Sequence, residues 1–306
     1  MTLESLHVDL PSGAVEIPYV DVRGPEPGPH LTLISGVHGT EYTSIAANRE
    51  FAAGLESAVK RGRVTSVPIV NLGAFWARTP FVVPGDGKNL NRSFPGSPSG
   101  SDAEVLAAAL TAAFIEPTDY LIDLHCGDLP EALAPFSLYD ESPVEDAARE
   151  LALVYGLPHL VRQSSAGRTV GGSTSAVAAD LGKPAITAES GQQGVLDRPS
   201  VELHLAGLWN VVRHLGIAEG SRHDPGRIAE YDGWTWPRTP VAGWWEPVVS
   251  VGDSVDEGDL VGTVSEILGG VVHEVRATQP CVPIFLTSSP AVQTDGLLAG
   301  LAHPAS

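Results

Sequence analysis

The sequence predicts an α/β fold in which a mixed, mainly parallel sheet has helices on both faces and a small C-terminal all-β domain follows. Between residues 31 and 215, apolar and β-branched runs of strand length alternate with amphipathic runs of helical period, as expected for strands joined by helical crossovers. After residue 216, short apolar runs are separated by turn residues instead. We therefore predict an α/β domain over residues 1–218 and a β-rich domain over residues 219–306.

The individual elements follow from periodicity and from turn residues. Two alternating runs around Pro11-Ser-Gly13 predict an opening hairpin. Periodicity is lost from Leu72 to Gly100, and so long a loop inside a compact domain is usually functional. The predicted order is strands 3–10, 14–22 and 31–35, helix 42–58, strand 64–70, helix 103–114, strand 119–124, helix 144–155, strand 159–162, helix 173–181, strand 184–188 and helix 199–215.

Composition excludes several classes of function. The chain has 306 residues, of which 43% are hydrophobic, and a formal net charge of −19. Such an acidic chain lacks the basic clusters that nucleic acids and anionic membranes require, and no apolar run has the length of a membrane span. Its two cysteines fall in different predicted domains, so a disulfide framework is not expected. We expect a cytoplasmic protein that binds neither nucleic acid nor membrane and that could form a homo-oligomer.

Polar side chains after two predicted strands indicate a metal site. The first strand leads into Gly36, His38 and Gly39, with Glu41 at the head of the next helix, and His125 ends a later strand. A His-x-x-Glu spacing alone is more often a helix cap or a surface pair. A catalytic zinc, however, takes three protein ligands and leaves a fourth position to water. His38, Glu41 and His125 form such a set.

Four motifs in this order resemble the succinylglutamate desuccinylase/aspartoacylase family, which belongs to the zinc carboxypeptidase clan. The resemblance extends over residues 30–215, and the motifs are Gly36-Val-His38-Gly39-Thr-Glu41, Asn89-Leu90-Asn91-Arg92, Asp123-Leu-His125 and Thr187-Ala-Glu189-Ser-Gly191.

The resemblance implies a zinc carboxypeptidase-like fold and a role for each motif. His38, Glu41 and His125 would bind one Zn²⁺ per chain. Glu189 would be the general base that takes a proton from water and returns it to the leaving amine. The Asn91-Arg92 pair would contact a substrate carboxylate and help to polarise the scissile carbonyl. Arginine suits this task because its planar guanidinium can make two hydrogen bonds to a carboxylate.

Several residues keep alternative interpretations. Cys126 could be a fourth metal ligand, but neighbouring strand residues point to opposite faces, which favours a packed core thiol. Asp123 either orients His125 or is a buried structural carboxylate, and Glu189 could merely cap a turn. Arg78 is a candidate for substrate binding. Arg168 is a weaker candidate, for which a surface role is the default.

These observations predict a zinc-dependent hydrolase that deacylates an N-acyl amino acid or a related small amide. A zinc carboxypeptidase or peptide amidase is the alternative within the same chemistry. A non-catalytic, metal-dependent binder of anionic ligands is the alternative from another class. The sequence does not specify the acyl group or the amino acid.

Overall fold

A computed structural model describes residues 2–164 and 172–305. Its strands are β1 (Thr2–Leu10), β2 (Gly13–Arg23), β3 (Glu26–Ser35), β4 (Arg61–Val67), β5 (Tyr120–His125), β6 (Glu131–Leu133), β7 (Phe136–Asp140), β8 (His159–Gln163), β9 (Ala185–Glu189), β10 (Ala229–Thr235), β11 (Gly243–Pro247), β12 (Leu260–Ser265), β13 (Val271–Arg276), β14 (Val282–Thr287), β15 (Ala291–Val292) and β16 (Ala299–Pro304). Its α-helices are α1 (Tyr42–Ala58), α2 (Leu72–Ala77), α3 (Asp102–Leu110), α4 (Glu145–Tyr155), α5 (Thr174–Asp180) and α6 (Arg198–His214). Within the described residues, no helix is long and apolar enough to span a membrane.

Twelve strands form one mixed sheet in the order β1-β2-β4-β3-β5-β9-β7-β8-β10-β16-β14-β6. Strands β4, β3, β5 and β9 are mutually parallel, and so are β7, β8 and β10. The other neighbouring pairs are antiparallel. The mixed sheet agrees with the prediction, but parallel pairing is confined to these two blocks, because the opening hairpin and the C-terminal strands add antiparallel pairs.

Helices cover both faces of this sheet. Side chains alternate along β3, so that Leu33 and Ile34 point to opposite faces and join different apolar clusters. One cluster contains Leu55 of α1 together with residues of α4 and α6. The other contains Leu106 of α3 together with residues of α5. The central strands are therefore buried on both sides.

The segment after residue 218 contributes to two sheets. Its strands β10, β16 and β14 extend the large sheet, whereas β13, β12, β11 and β15 form a separate four-stranded sheet in that order. Trp245 joins the two, because its indole is buried in the small sheet's core and its Nε1–H donates a hydrogen bond to the carbonyl of Thr287 on β14, 3.0 Å away. The domain boundary between residues 218 and 219 stays a prediction.

Local departures from the sequence prediction have identifiable causes. The predicted loop after Leu72 begins with helix α2, whose short length gives no detectable period, and Asn71 caps it by accepting the amide hydrogen of Ala74. Strand β3 starts at Glu26, earlier than predicted, because an irregularity between Glu26 and His30 accommodates the prolines of this stretch. The very short strand β6 and the strand β7 were missing from the prediction.

Candidate active site

The first two metal candidates lie in a tight turn between β3 and α1. Gly36 adopts a φ of +66°, a left-handed conformation that favours glycine. A Cβ on Gly39 would lie 2.2 Å from the carbonyl carbon of Ala74, so only glycine fits there. This turn brings His38 and Glu41, the residue before α1, onto the rim where β3 ends.

His125 reaches the same rim from the neighbouring strand. Strands β3 and β5 are parallel, with Ser35 beside Leu124, so their carboxyl ends lie next to each other. One oxygen of Glu41 is 2.5 Å from Nδ1 of His38, and the other is 2.9 Å from Nδ1 of His125. The structure therefore brings together the three residues that the sequence nominated.

The donor set fits a divalent cation. One ligand atom from each of His38, Glu41 and His125 lies within 4.8 Å of the others, and all three residues are buried. Within residues 2–164 and 172–305 this group has three members, so Cys126 is not part of it. Two imidazoles and one carboxylate with room for a further ligand are the donor set of a catalytic zinc site.

The electrostatics of the cluster also suit a cation. Burial opposes ionisation of Glu41, but the two imidazoles outweigh it and lower the pKa of its carboxyl to about 2. Burial likewise opposes protonation of His125, yet Asp123 and Glu41 raise its imidazole pKa well above the ordinary value. The carboxylates thus attract positive charge to the imidazole nitrogens, and a bound metal ion can supply that charge instead of protons.

A side-chain oxygen lies close to Nε2 of each imidazole. Nε2 of His125 lies 2.9 Å from Oδ2 of Asp123, which in turn accepts a hydrogen bond from the hydroxyl of Thr174. Nε2 of His38 lies 3.2 Å from Oδ1 of Asn89. Hydrogen bonds of this kind fix ring orientation in metal sites. The Asp123–His125 contact has the distance but not the geometry of a hydrogen bond, so the orienting role of Asp123 stays a prediction. Asn89 is an additional residue whose signal was its place in the Asn89-Leu90-Asn91-Arg92 motif.

A strained loop packs against His38. Phe81 has a φ of +62°, which is unfavourable for a bulky residue, and its ring meets the His38 ring edge to face with 5.6 Å between centroids. Asp128 maintains this arrangement by accepting the amide hydrogen of Phe81 at 3.1 Å and a hydrogen bond from the hydroxyl of Thr40. No periodic or motif signal in the sequence pointed to Phe81 or Asp128.

Glu189 ends β9 directly beside His125 in the parallel β5–β9 pair. Burial raises the pKa of its carboxyl well above the ordinary value, and the nearby carboxylates of Glu41 and Glu131 add to the increase, while His125 opposes it. A carboxylate with a raised pKa is a stronger proton acceptor than a carboxylate in water.

Two of the three predicted substrate-binding residues line the cavity that contains the metal candidates, and the third does not. Asn91 and Arg92 lie in a 3₁₀ turn, Leu90–Arg92, and both line the same cavity as the metal candidates. Arg92 is exposed, and its Nη1 donates a hydrogen bond to the backbone carbonyl of Asn91 at 2.7 Å. Surrounding protein atoms lower the pKa of its guanidinium, and Glu131 partly offsets the decrease. Arg78 is exposed at the end of α2 and lies outside this cavity lining, so its role stays a prediction. Arg168 lies outside the described residues.

The cavity has a volume of about 160 Å³ and is closed on one side by the C-terminal segment. That side consists of Trp234, Trp236, Phe285 and Leu297, and Trp234 also contacts Phe136 on β7. The sequence left open where this segment packs. The other lining residues that sequence analysis missed are Glu131, Leu133, Leu138, Gln163 and Ser173, whereas Thr187 belongs to the quoted motif of Glu189.

Known proteins resemble the chain in sequence and in fold. Residues 27–215 match the succinylglutamate desuccinylase/aspartoacylase catalytic domain. The N-α-acetyl-L-2,4-diaminobutyric acid deacetylase of Halomonas elongata is 30% identical, and the match covers 96% of this chain and 83% of the relative.

Two solved structures extend the likeness to nearly the whole fold. The product-bound ectoine utilization protein of Ruegeria pomeroyi is 26% identical with a TM-score of 0.87, over 98% of this chain and 93% of that one. A succinylglutamate desuccinylase/aspartoacylase of Rhodobacter sphaeroides has the same TM-score of 0.87 at 24% identity, over 99% of this chain and 96% of that one. This chain belongs to the succinylglutamate desuccinylase/aspartoacylase family.

Proposed function

We propose that this protein is a zinc-dependent hydrolase that removes the acyl group from an N-acyl amino acid or a related small amide. The observation that carries the proposal is the convergence of His38, Glu41 and His125 beside Glu189 in one cavity. The three residues would hold the Zn²⁺ ion, which when bound supplies a Lewis acid for the amide carbonyl and makes water more acidic. A zinc carboxypeptidase-like architecture remains part of the proposal.

The protein's own groups would carry the proton transfer and the substrate binding. Glu189 takes a proton from the water molecule whose oxygen attacks the acyl carbon. When the carbon–nitrogen bond breaks, Glu189 returns that proton to the amine, so that a carboxylate and an amine are the products. Arg92 pairs with the substrate carboxylate and supports the developing oxyanion, and Asn91 directs its side-chain amide into the same cavity.

The relatives guide the choice of substrates. The Halomonas elongata relative is named as a deacetylase of an N-acetylated diamino acid, so N-acetyl amino acids are the first compounds to test. A small cavity with a wall formed by the C-terminal segment favours single amino acids over long peptides. Purified zinc-loaded enzyme should therefore hydrolyse members of an N-acyl amino acid panel. Cleavage of short peptides without deacylation would favour the carboxypeptidase or peptide amidase alternative.

Glu189→Gln tests the mechanism directly. Because glutamine keeps the size of the side chain but cannot accept the proton, we expect kcat to fall by about 10²–10⁴-fold while zinc stays near one equivalent per chain. Metal analysis and steady-state kinetics of the same preparation measure both quantities. Unchanged turnover would refute the role of Glu189, and absence of turnover in the wild-type enzyme across the panel would favour a non-catalytic binder. A cytoplasmic location and self-association remain to be tested by cell fractionation and light scattering.

A further inference from the structure

Glu131 is a carboxylate in the cavity that the proposed mechanism does not use. It is the first residue of β6 and pairs with Thr287 of β14. Its Oε2 accepts the amide hydrogen of Asp128 at 2.8 Å, and the residue lines the cavity that contains the metal candidates. Among the described residues, no lysine or arginine forms an ion pair with it within 4.0 Å.

Among the described residues, Glu131 has no ion-pair partner, although Arg92 interacts with it electrostatically from a longer distance. Three carboxylates line the cavity, those of Glu41, Glu131 and Glu189, whereas Arg92 is the only arginine or lysine among the described lining residues. Glu41 and Glu189 would balance the two charges of a zinc ion, and Arg92 would be matched by the substrate carboxylate. Glu131 is half-buried, and a carboxylate that is partly removed from water is stabilised by a partner of opposite charge. A cationic group of the substrate would supply such a partner.

The cavity also contains uncharged hydrogen-bond donors and acceptors that could bind a ligand with both a positive and a negative group. Oδ1 of Asn91 and Oε1 of Gln163 are buried acceptors without a hydrogen-bond partner, and Nε1 of Trp234 and of Trp236 are buried donors without one. All four residues line the cavity. Burial raises the pKa of Glu131 to about 7, as expected for a carboxylate that has lost water without gaining a cation.

We propose that Glu131 is a specificity residue that pairs with a free ammonium group of the substrate, so that the preferred substrate class is an N-acyl diamino acid whose second amine is unacylated. This inference rests on the proposed deacylase function. An ammonium beside Glu131 and a carboxylate beside Arg92 would give the bound substrate two charged anchors, while the amide lies between them near the metal candidates. A charge-assisted contact in such a site changes affinity by roughly ten- to a hundred-fold.

A matched pair of substrates tests the inference. Nα-acetyl-2,4-diaminobutyrate and Nα-acetylnorvaline have side chains of equal length that end in an ammonium and a methyl group. Wild-type enzyme should prefer the diamino substrate by at least ten-fold in kcat/KM. Glu131→Gln should reduce this ratio by roughly ten- to a hundred-fold, whereas the exposed control Glu257→Gln should leave it unchanged. An unchanged ratio in Glu131→Gln, or an equal loss on both substrates, would overturn the inference.

Ligand binding supplies a second measurement that does not depend on the variant's folding. In calorimetric titrations of the zinc-loaded wild-type enzyme, 2,4-diaminobutyrate should bind at least ten-fold more tightly than norvaline, and equal affinities would contradict the role of Glu131. Different results would refute the role of Glu131 and the deacylase function. Hydrolysis of both substrates without preference removes only the inference about Glu131, whereas hydrolysis of neither across the whole acyl panel removes the deacylase function itself.

Discussion

Replacement of Glu131 by glutamine should stabilise the metal-free protein at neutral and alkaline pH. The pKa of Glu131 is raised from 4.5 to about 7 because burial penalises its charged form. The folded state therefore binds this proton more tightly than the unfolded state does, and stability falls as pH rises from 4.5 to 7. A shift of this size corresponds to about 3 kcal/mol, which the wild-type protein loses above pH 7 and the glutamine variant does not.

Thermal unfolding of chelator-treated protein between pH 5 and pH 8 measures this effect. At pH 8 Glu131→Gln should raise Tm by about 5 °C for a chain of this length, and the difference should shrink towards pH 5, where Glu131 is protonated. Glutamine retains an oxygen that can accept the Asp128 amide hydrogen, so the local hydrogen bond is preserved. Glu257→Gln is the exposed control and should follow the wild type. If the difference in Tm between wild type and Glu131→Gln were the same at every pH, burial would not destabilise the Glu131 carboxylate. Zinc should reduce the difference, because a nearby cation favours the charged carboxylate.

Three further substitutions test the metal site and the core. Asp123→Asn should weaken zinc binding by about 10–100-fold in competition with a chelator, and undiminished affinity would exclude its orienting role. Gly39→Ala should abolish zinc binding and destabilise the fold, because the new Cβ would lie 2.2 Å from the backbone of α2. Gly73→Ala is the control and should be tolerated, because its Cβ would have its nearest contact at 3.5 Å. Zinc titration and melting curves of the two variants should differ clearly. Trp245→Ala should lower the free energy of unfolding in urea by about 3–5 kcal/mol, because Trp245 is only 2% exposed. Trp244→Ala should lower it far less, because Trp244 is 44% exposed. Similar losses in the two variants would contradict the role of Trp245 in the core.

Sequence periodicity predicted the long, regular elements well. The predicted helix 42–58 is α1, Tyr42–Ala58, and the strand predicted to close at Glu189 does so. Helix α1 has enough residues for its period to be distinguished from chance, whereas the five-residue strand β9 was predicted from its short apolar run before Glu189. The turn before α1 was predictable for a different reason, because two glycines and two candidate metal ligands, His38 and Glu41, occur together there. His125 joins them because β5 is parallel to β3, and the sequence indicated this only through the polar residue at the end of each strand.

The walls of the cavity could not be predicted in this way. Strand β6 has three residues and β7 has five, which is too short for a reliable period. Trp234 and Trp236 reach the cavity because β10 pairs with β8, a contact between segments remote in the sequence. Asn89 and Phe81 act through the conformation of a loop rather than through a repeating pattern. Long-range pairing and loop geometry are properties of the folded chain, and a single sequence carries little local signal for either.

The pairing of β6 with β14 has a consequence for how the protein is made. Glu131 leaves the ribosome before Glu189. Strand β14, which pairs with β6, is synthesised long afterwards, and so are the cavity-lining residues Phe285 and Leu297. A nascent chain that already contains His38, Glu41, His125 and Glu189 would still have an open pocket and an unpaired β6. The surroundings of Glu131 therefore become complete only after the C-terminal strands have been synthesised.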